Sequence, residues 1–304
     1  MPSLRDKSTV SKALEPSEKQ NAIHMTRFKA LAVETKYWKP GTDSVEETVH
    51  ALKGKAADGD FVAVSEKAIS TASNNIIDEK NIQPTLNAEL IARFWMRTTW
   101  GFILGPLCRL RQKLLSELRG YPLDIGSRHK QLALQYSGLL QALMFGSEGG
   151  IDGSNLPYSY VCLPLKNADE IAKKMRRRIL EILGKSVVVV VVDTDKTYSF
   201  RNFHFTPRPN PVRGIHSGGG FLAYVIGRFL QLKKRATPLA VAGSSLSTEE
   251  ALHVAELANR ARGFGAGRTV WEMAEHFNVK LESVSWEMLE TVRHKPIVIV
   301  RKKR

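Results

Sequence analysis

With 304 residues and 43% apolar content, the chain can bury a substantial core as one large domain or two of ordinary size. Lysine plus arginine outnumber aspartate plus glutamate by 45 to 30, a formal +15 at pH 7, which favours anionic partners such as nucleotides and polyacidic metabolites. The two cysteines, Cys108 and Cys162, form no CxxC, which argues against a disulfide framework and a structural zinc site.

The N-terminus lacks the apolar core of a signal peptide, and no apolar run reaches membrane-spanning length. A soluble cytoplasmic protein with no membrane partner is expected. The basic runs at 173–178, 233–235 and 301–304 read as solvated surface. Without zinc-finger spacing or an RNP-type aromatic pattern, nucleic acid is not the expected partner.

Residues 1–24 read as a polar tail, and MTRFKALAVET after them as a strand. A helix is expected from Ser44, with that serine as cap, early Glu46 and Glu47, and a glycine stop. DGD then leads into FVAVSEKAIS, a buried strand followed by a polar turn. From 87 to 118 the pattern is helical, bent by Gly101, Gly105 and Pro106. Its aromatics Phe94, Trp95, Trp100 and Phe102 suit a core or a subunit interface. For 129–144, helix and extended chain fit equally well.

The segment KNADEIAKKMRRRILEILGK reads as a helix, acidic early and basic later, with Gly184 as its stop. Six consecutive valines at 187–192 predict a strand buried on both faces. FTPRPNPVRGIHSGGG must be largely loop, and FLAYVIGRFLQLKK is either helix or long strand. ATPLAVAGSS reads as strand and turn, and STEEALHVAELANRARG as a helix with a capping box. A short helix at 271–277 and a final strand, KPIVIVRKK, close an α/β or α+β chain.

Two acidic loops carry the chemistry. In GGIDGSN, the glycines around Asp152 let amides and side chains converge, and Ser154 and Asn155 add neutral polar groups. A turn held by its own Asp and Asn side chains accounts for the same residues equally well. Asp193 follows the valine run, where carboxyl ends of strands commonly meet ligands; it is a natural Mg²⁺ or Mn²⁺ ligand, with Thr194 beside it. In SEKAIS, Lys67 suits a phosphate as a point charge and Ser70 can donate a hydrogen bond, although plain surface exposure fits as well. The histidines are too dispersed for a zinc site, and Ser244 and Ser245 lack the spacing of a hydrolase nucleophile.

In order and wording these segments resemble the coenzyme F420-0:gamma-glutamyl ligase family. The likeness is carried by KPGTDSVEETVHALKGKAADGDFVAVSEKAIS, by GGIDGSNLP against the family's D-x-S-N loop, by the valine strand ending in Asp193–Thr194, and by ATPLAVAG, EEALHVAELANRARG and KPIVIVRKKR. The resemblance implies an α+β, mixed-sheet ligase fold over 25–304 with two interleaved subdomains. It further implies a homodimer that uses GTP with Mn²⁺ or Mg²⁺ to join L-glutamate to coenzyme F420-0 through an acyl phosphate. Carried onto this sequence, Asp152 and Asp193 are catalytic and, with Thr194, hold metal. Lys67, Ser70, Ser154, Asn155 and Thr194 bind nucleotide or substrate.

The chain departs from the family at three places. After Asp193–Thr194 the family continues Gly-Arg-Pro, whereas Asp195, Lys196, Thr197 and Tyr198 stand here; a lysine does not clamp an anion as arginine does. Thr71, Ala72, Ser73 and Asn74 replace the family's K-A-E-G. QALMFGSEGG replaces its polar approach to the Asp152 loop, with Glu148 as a partial substitute. These changes keep open a related ligase with another acceptor, and a non-catalytic homologue that binds coenzyme or nucleotide.

Overall fold

A computed structural model describes residues 28–146 and 148–303. The polar tail expected at 1–24 lies outside the described residues. The strand expected after it is β1, Phe28–Thr35. Helix α1, Ser44–Leu52, follows, capped by Asp43 rather than Ser44: the Asp43 carboxylate accepts from the amides of Val45 and Glu46. Strand β2, Phe61–Ser65, runs without a turn into helix α2, Glu66–Ala72. The predicted polar loop SEKAIS is therefore mostly helix, and Glu66 and Lys67 form its first turn.

Strand β3, Ile76–Asp78, leads to helix α3, which begins as Leu86–Leu90 and continues with wider i→i+5 turns over Ile91–Leu104. Gly101 does not break it. A Cβ there would stand 2.9 Å from Arg119 Cγ, so the missing side chain lets helix α4, Gln112–Arg119, lie close against α3. Trp100 is buried, but Phe94 and Phe102 face outward. Helix α5, Leu123–Tyr136, makes the first half of 129–144 helical, and after a break at Gly138 a short helix spans Leu139–Ala142. Strand β4, Tyr160–Cys162, pairs with β3 in a small antiparallel ladder.

Helix α6, Ala168–Leu183, ends at left-handed Gly184 as expected. Strand β5, Val188–Phe200, is longer than the valine run and continues past Asp193 as one arm of a hairpin with β6, Phe203–Thr206. After β7, His216–Ser217, helix α7 spans Phe221–Phe229. Strand β8 then starts at Lys233, before the expected ATPLAVA, and runs to Ala242. Helix α8, Thr248–Arg262, carries the predicted Ser247/Glu250 capping box. Helices α9, Val270–His276, and α10, Trp286–Glu290, precede β9, His294–Lys302.

Seven strands form one mixed sheet in the order β1-β9-β2-β5-β6-β7, with β8 along the other edge of β5. Together with its helices it is an α+β fold. The alternation along β5 accounts for its valines. Val189 and Val191 enter a core with α1, α2 and α6, while Val188, Val190 and Val192 enter the opposite core against α8. Burying each valine contributes on the order of 1.5–3 kcal/mol. A third core joins α3, α4 and Phe221 of α7 into a helical wall beside the sheet. Among the described residues no helix is long and apolar enough to cross a membrane.

One edge of β5 pairs in parallel with β2 over 188–192 and in antiparallel fashion with β6 over 198–200. Between those two stretches the edge is open. On the other edge the register against β8 slips between Asp193 and Lys196, a bulge that takes in Thr194 and Asp195. The sheet thus has a notch where β2 ends, and Asp193 and Thr194 stand in it.

Candidate active site

The notch is held together by one guanidinium. Arg208, 2% exposed, donates from Nε to Asp193 Oδ2 at 2.7 Å, from one terminal nitrogen to the carbonyl of Gly149 at 2.5 Å, and from the other to Glu66. It thereby ties β5, the start of α2 and the Asp152 loop together. Glu66 also accepts from the Leu165 amide at 2.8 Å. Burial pushes its carboxyl up to about 7, against the opposing pull of Arg208. Gly150 sits at φ +102, and a Cβ there would lie 2.5 Å from the Arg208 guanidinium carbon. Only glycine lets the loop pass this close.

Lys67, on the first turn of α2, reaches into the same loop. Its ammonium donates to Asp152 Oδ2, to Ser154 Oγ at 2.6 Å and to the Ser154 carbonyl at 3.1 Å. The other Asp152 oxygen accepts from the Ser154 amide at 2.7 Å. Asn155, at φ +54, staples the loop to the 264–267 segment: its Oδ1 accepts from the Ala266 amide at 2.7 Å and its Nδ2 donates to the Gly267 carbonyl at 2.9 Å. In GGIDGSN the Asp152 carboxylate closes the turn onto the Ser154 amide, Asn155 ties the turn to its neighbour, and the loop lines a cavity.

That cavity, about 220 Å³, brings together Lys67, Asp152, Ser154, Asn155, Asp193 and Thr194 from three stretches of chain. Ser70 is not among its lining residues: the side chain is buried and its hydroxyl donates to the Leu163 carbonyl at 2.9 Å. Six cationic side chains, Lys67, Lys196, Arg262, Arg268, Arg293 and Lys295, line it against two carboxylates, Asp152 and Asp193. His294 adds no charge near neutrality, because burial lowers its pKa to about 4. Arg262 ends α8 and feels Asp193 and Asp152 electrostatically, while burial pulls its pKa downward.

A second cavity, about 360 Å³, shares Asp152, Thr194, Lys196 and Arg268 with the first and extends away between the helical wall and the 156–161 segment. Its lining is mainly aliphatic and aromatic. At its inner end lies a buried ionic cluster in which Glu148 accepts from Lys130 and lies 2.9 Å from His129 Nε2, while His129 Nδ1 lies 2.5 Å from Glu79. The sequence suggested Glu148 as a polar substitute near the loop; it is fully buried beneath it.

Burial alone would lower the pKa of His129, but Glu148 and Glu79 overcome this and hold it at about 10. Because the folded value is raised above the ordinary 6.5, the protonated ring stabilises the fold fully below pH 6.5, and that contribution fades as pH rises towards 10. Urea midpoints measured from pH 6.5 to 10 are expected to fall, and to fall less in His129→Gln. An equal slope in both proteins would remove His129 as the cause.

Among the described residues no group of three or more His, Cys, Asp or Glu side chains is arranged to hold a metal. Asp152 and Asp193 are each hydrogen-bonded to a cation but retain free lone pairs in a shared cavity. Such a sparse set does not make an all-protein site. It suits a cation that brings phosphate and water ligands with it.

Arg208 lies in a proline-rich stretch that carries no periodic signal, and sequence reasoning missed it. No Arg-Pro step follows Asp193–Thr194 directly, but Arg208–Pro209 forms one further along, and the β5–β6 hairpin returns its guanidinium to Asp193. Arg262, Arg268, and the His129 cluster were missed too. Only Arg262, at the end of a well-marked helix, carried a local signal.

The model of the family described as F420-0:Gamma-glutamyl ligase matches residues 32–259, and the chain belongs to that family. It is 35% identical over 286 residues to an uncharacterized protein of Methanocaldococcus jannaschii, covering 90% of this chain and 96% of that one. It is 30% identical over 141 residues to the coenzyme F420:L-glutamate ligase of Archaeoglobus fulgidus, covering 45% of this chain and 49% of that one. With the coenzyme F420:L-glutamate ligase of Methanopyrus kandleri it shares 27% over 168 residues, covering 55% and 59% respectively.

Proposed function

We propose that this chain is a GTP-dependent ligase that activates a carboxylic acid as an acyl phosphate and joins it to the amine of an amino acid. The observation that carries this reading is the segregation of charge between two cavities that meet at Asp152, Thr194, Lys196 and Arg268. The strongly basic cavity suits a triphosphate, the apolar one suits the acid, and their junction is where the two would react. The acid's carboxylate attacks the γ-phosphorus, the bond to the bridging oxygen breaks, and GDP leaves. The amine then attacks the acyl carbon, phosphate leaves and a proton is released.

In this reading Lys67 and Arg208 position Asp152 and Asp193, Asn155 fixes the loop, and Arg262 and Arg268 engage phosphate oxygens. Mg²⁺ or Mn²⁺, when bound, offsets charge on the transferred phosphoryl group, and Asp152, Asp193 and Thr194 are the residues that would hold it. L-glutamate and coenzyme F420-0 are the family's substrate pair and the first to test, by product mass and GDP release.

Nucleotide binding can be tested without knowing the acid. Arg262→Met is expected to weaken a fluorescent GTP analogue about 10- to 100-fold, the scale of one charge-assisted hydrogen bond. Asp152→Ala and Asp193→Asn are expected to abolish turnover with the circular-dichroism spectrum unchanged. Full turnover in both carboxylate variants would sink the assigned site.

A further inference from the structure

Between α8 and β9 the chain leaves the sheet for residues 263–292, and this excursion walls both cavities at once. It gives Gly263, Phe264, Gly265, Gly267 and Arg268 to the basic cavity, and Arg268, Thr269, Val270, Trp271, Met273 and Leu281 to the apolar one. Its core is its own. Ala266, Met273, Val284 and Leu289 are buried together, and of the apolar side chains packed around them only Tyr37 comes from outside the segment. Ala274 is the one further buried residue between 263 and 292. A unit with so few buried apolar contacts can open while the rest of the fold stays closed.

The segment is tied to its surroundings mainly at one point. Asn155 accepts from the Ala266 amide at 2.7 Å and donates to the carbonyls of Gly267 at 2.9 Å and Phe264 at 3.2 Å. The Tyr158 amide adds a bond to the Val284 carbonyl at 3.3 Å. The ion pairs Lys113–Glu275 and Lys39–Glu290 are exposed and contribute little. At the end of α8, Gly263 sits at φ +76 with nothing within 4 Å of where a Cβ would stand. Such a residue can absorb a change of backbone direction, as hinges do. Arg268 is the residue of this segment that lines both cavities. Among the described residues its guanidinium rests on the Phe264 ring, 4.3 Å from the centroid, and not in an ion pair.

We propose that residues 263–292 form a lid that swings between Gly263 and the start of β9 and is latched by Asn155, and that a nucleotide phosphate engaged by Arg268 holds it shut over the apolar cavity. The role of Arg268 rests on the nucleotide reading above. Filling the basic cavity then tightens the hold on whatever occupies the apolar one, and by linkage the reverse is equally true. The shut lid also keeps water from an acyl phosphate formed at the junction. Arg268 is in this respect a positioning residue: it places the wall of one cavity according to the contents of the other.

Hydrogen exchange read by mass spectrometry on the full chain tests this, with wild type, Asn155→Ala and Arg268→Met each checked by circular dichroism. Each protein is run alone and saturated with a non-hydrolysable GTP analogue and Mg²⁺, binding being read from a fluorescent form of the analogue. Peptides covering 270–290 are expected to exchange together, about tenfold or more faster than those covering 188–192. Asn155→Ala should speed them about tenfold further, the scale of its lost hydrogen bonds, and leave 188–192 unchanged. The bound analogue should slow them about tenfold in wild type but not in Arg268→Met. Exchange of 270–290 no faster than that of 188–192, or no response to Asn155→Ala, would overturn the lid. Bound analogue without slowing, or equal slowing in Arg268→Met, would overturn the role of Arg268. An analogue that fails to bind wild type removes the nucleotide reading and the phosphate hold with it, while exchange without nucleotide still decides the lid.

Discussion

Replacing Arg208 with methionine is expected to destabilise the fold by about 3–5 kcal/mol at neutral pH, the usual cost of leaving buried charge uncompensated. Methionine fills the space of the stem but supplies no cation. Glu66 and Asp193 would then face each other inside the protein, and the Gly149 carbonyl would lose its donor. The defect should shrink on acidification. The Glu66 carboxyl already titrates at about 7 in the fold, against an ordinary value of 4.5, because burial outweighs the pull of Arg208. Removing Arg208 raises it further, so the folded state takes up a proton that the unfolded chain takes only near pH 4.5. Relative to wild type the variant therefore regains stability as pH falls from alkaline values through 7, where its carboxyl is protonated before the wild-type one, and below about pH 6 both proteins gain together. Glu66→Gln in the Arg208→Met background should recover part of the loss at pH 7. Urea midpoints of the three proteins at pH 8.5 and 6 decide the matter, and a wild-type midpoint in Arg208→Met at pH 8.5 would refute it.

Replacing Glu148 with leucine should cost a similar amount, about 3–5 kcal/mol, for the opposite reason. The lost group is an anion: Lys130, fully buried, loses its carboxylate partner, and His129 keeps only Glu79. The Gly146 amide loses an acceptor as well, since it donates to Glu148 at 3.1 Å. Adding Lys130→Met should restore much of the stability, because a vacant ion pair filled by apolar side chains leaves no charge stranded. A double-mutant cycle by urea unfolding measures that coupling. Strictly additive losses would show that the two residues act independently.

The features legible in the sequence were those that local physics fixes. Six valines in a row can only be satisfied on both faces of a central strand, and Ser247 with Glu250 marks the start of α8 whatever surrounds it. The Asp152 loop was legible because its glycines permit a conformation that other residues resist. The continuation of β5 was not: Asp193 to Phe200 reads as polar loop, and becomes strand only because β8 and β6 pair with it. Ser70 matched the family's pattern, yet its place within α2 turns the hydroxyl to Leu163. The ionic cluster was equally hidden, since Glu79, His129, Lys130 and Glu148 meet only when α5 folds beneath the loop.

The hairpin between Asp193 and Arg208 runs outward as part of the sheet and returns to the place where it started. Where the guanidinium lands is set by the base of that excursion, so insertions or deletions at its tip, around the outward-facing Phe200 and Phe203, can accumulate over evolutionary time without disturbing the notch. Relatives are best compared by matching the departing aspartate to the returning arginine across a gap of any length. A search that demands fixed spacing would count as lost a side chain that the fold delivers by a longer route.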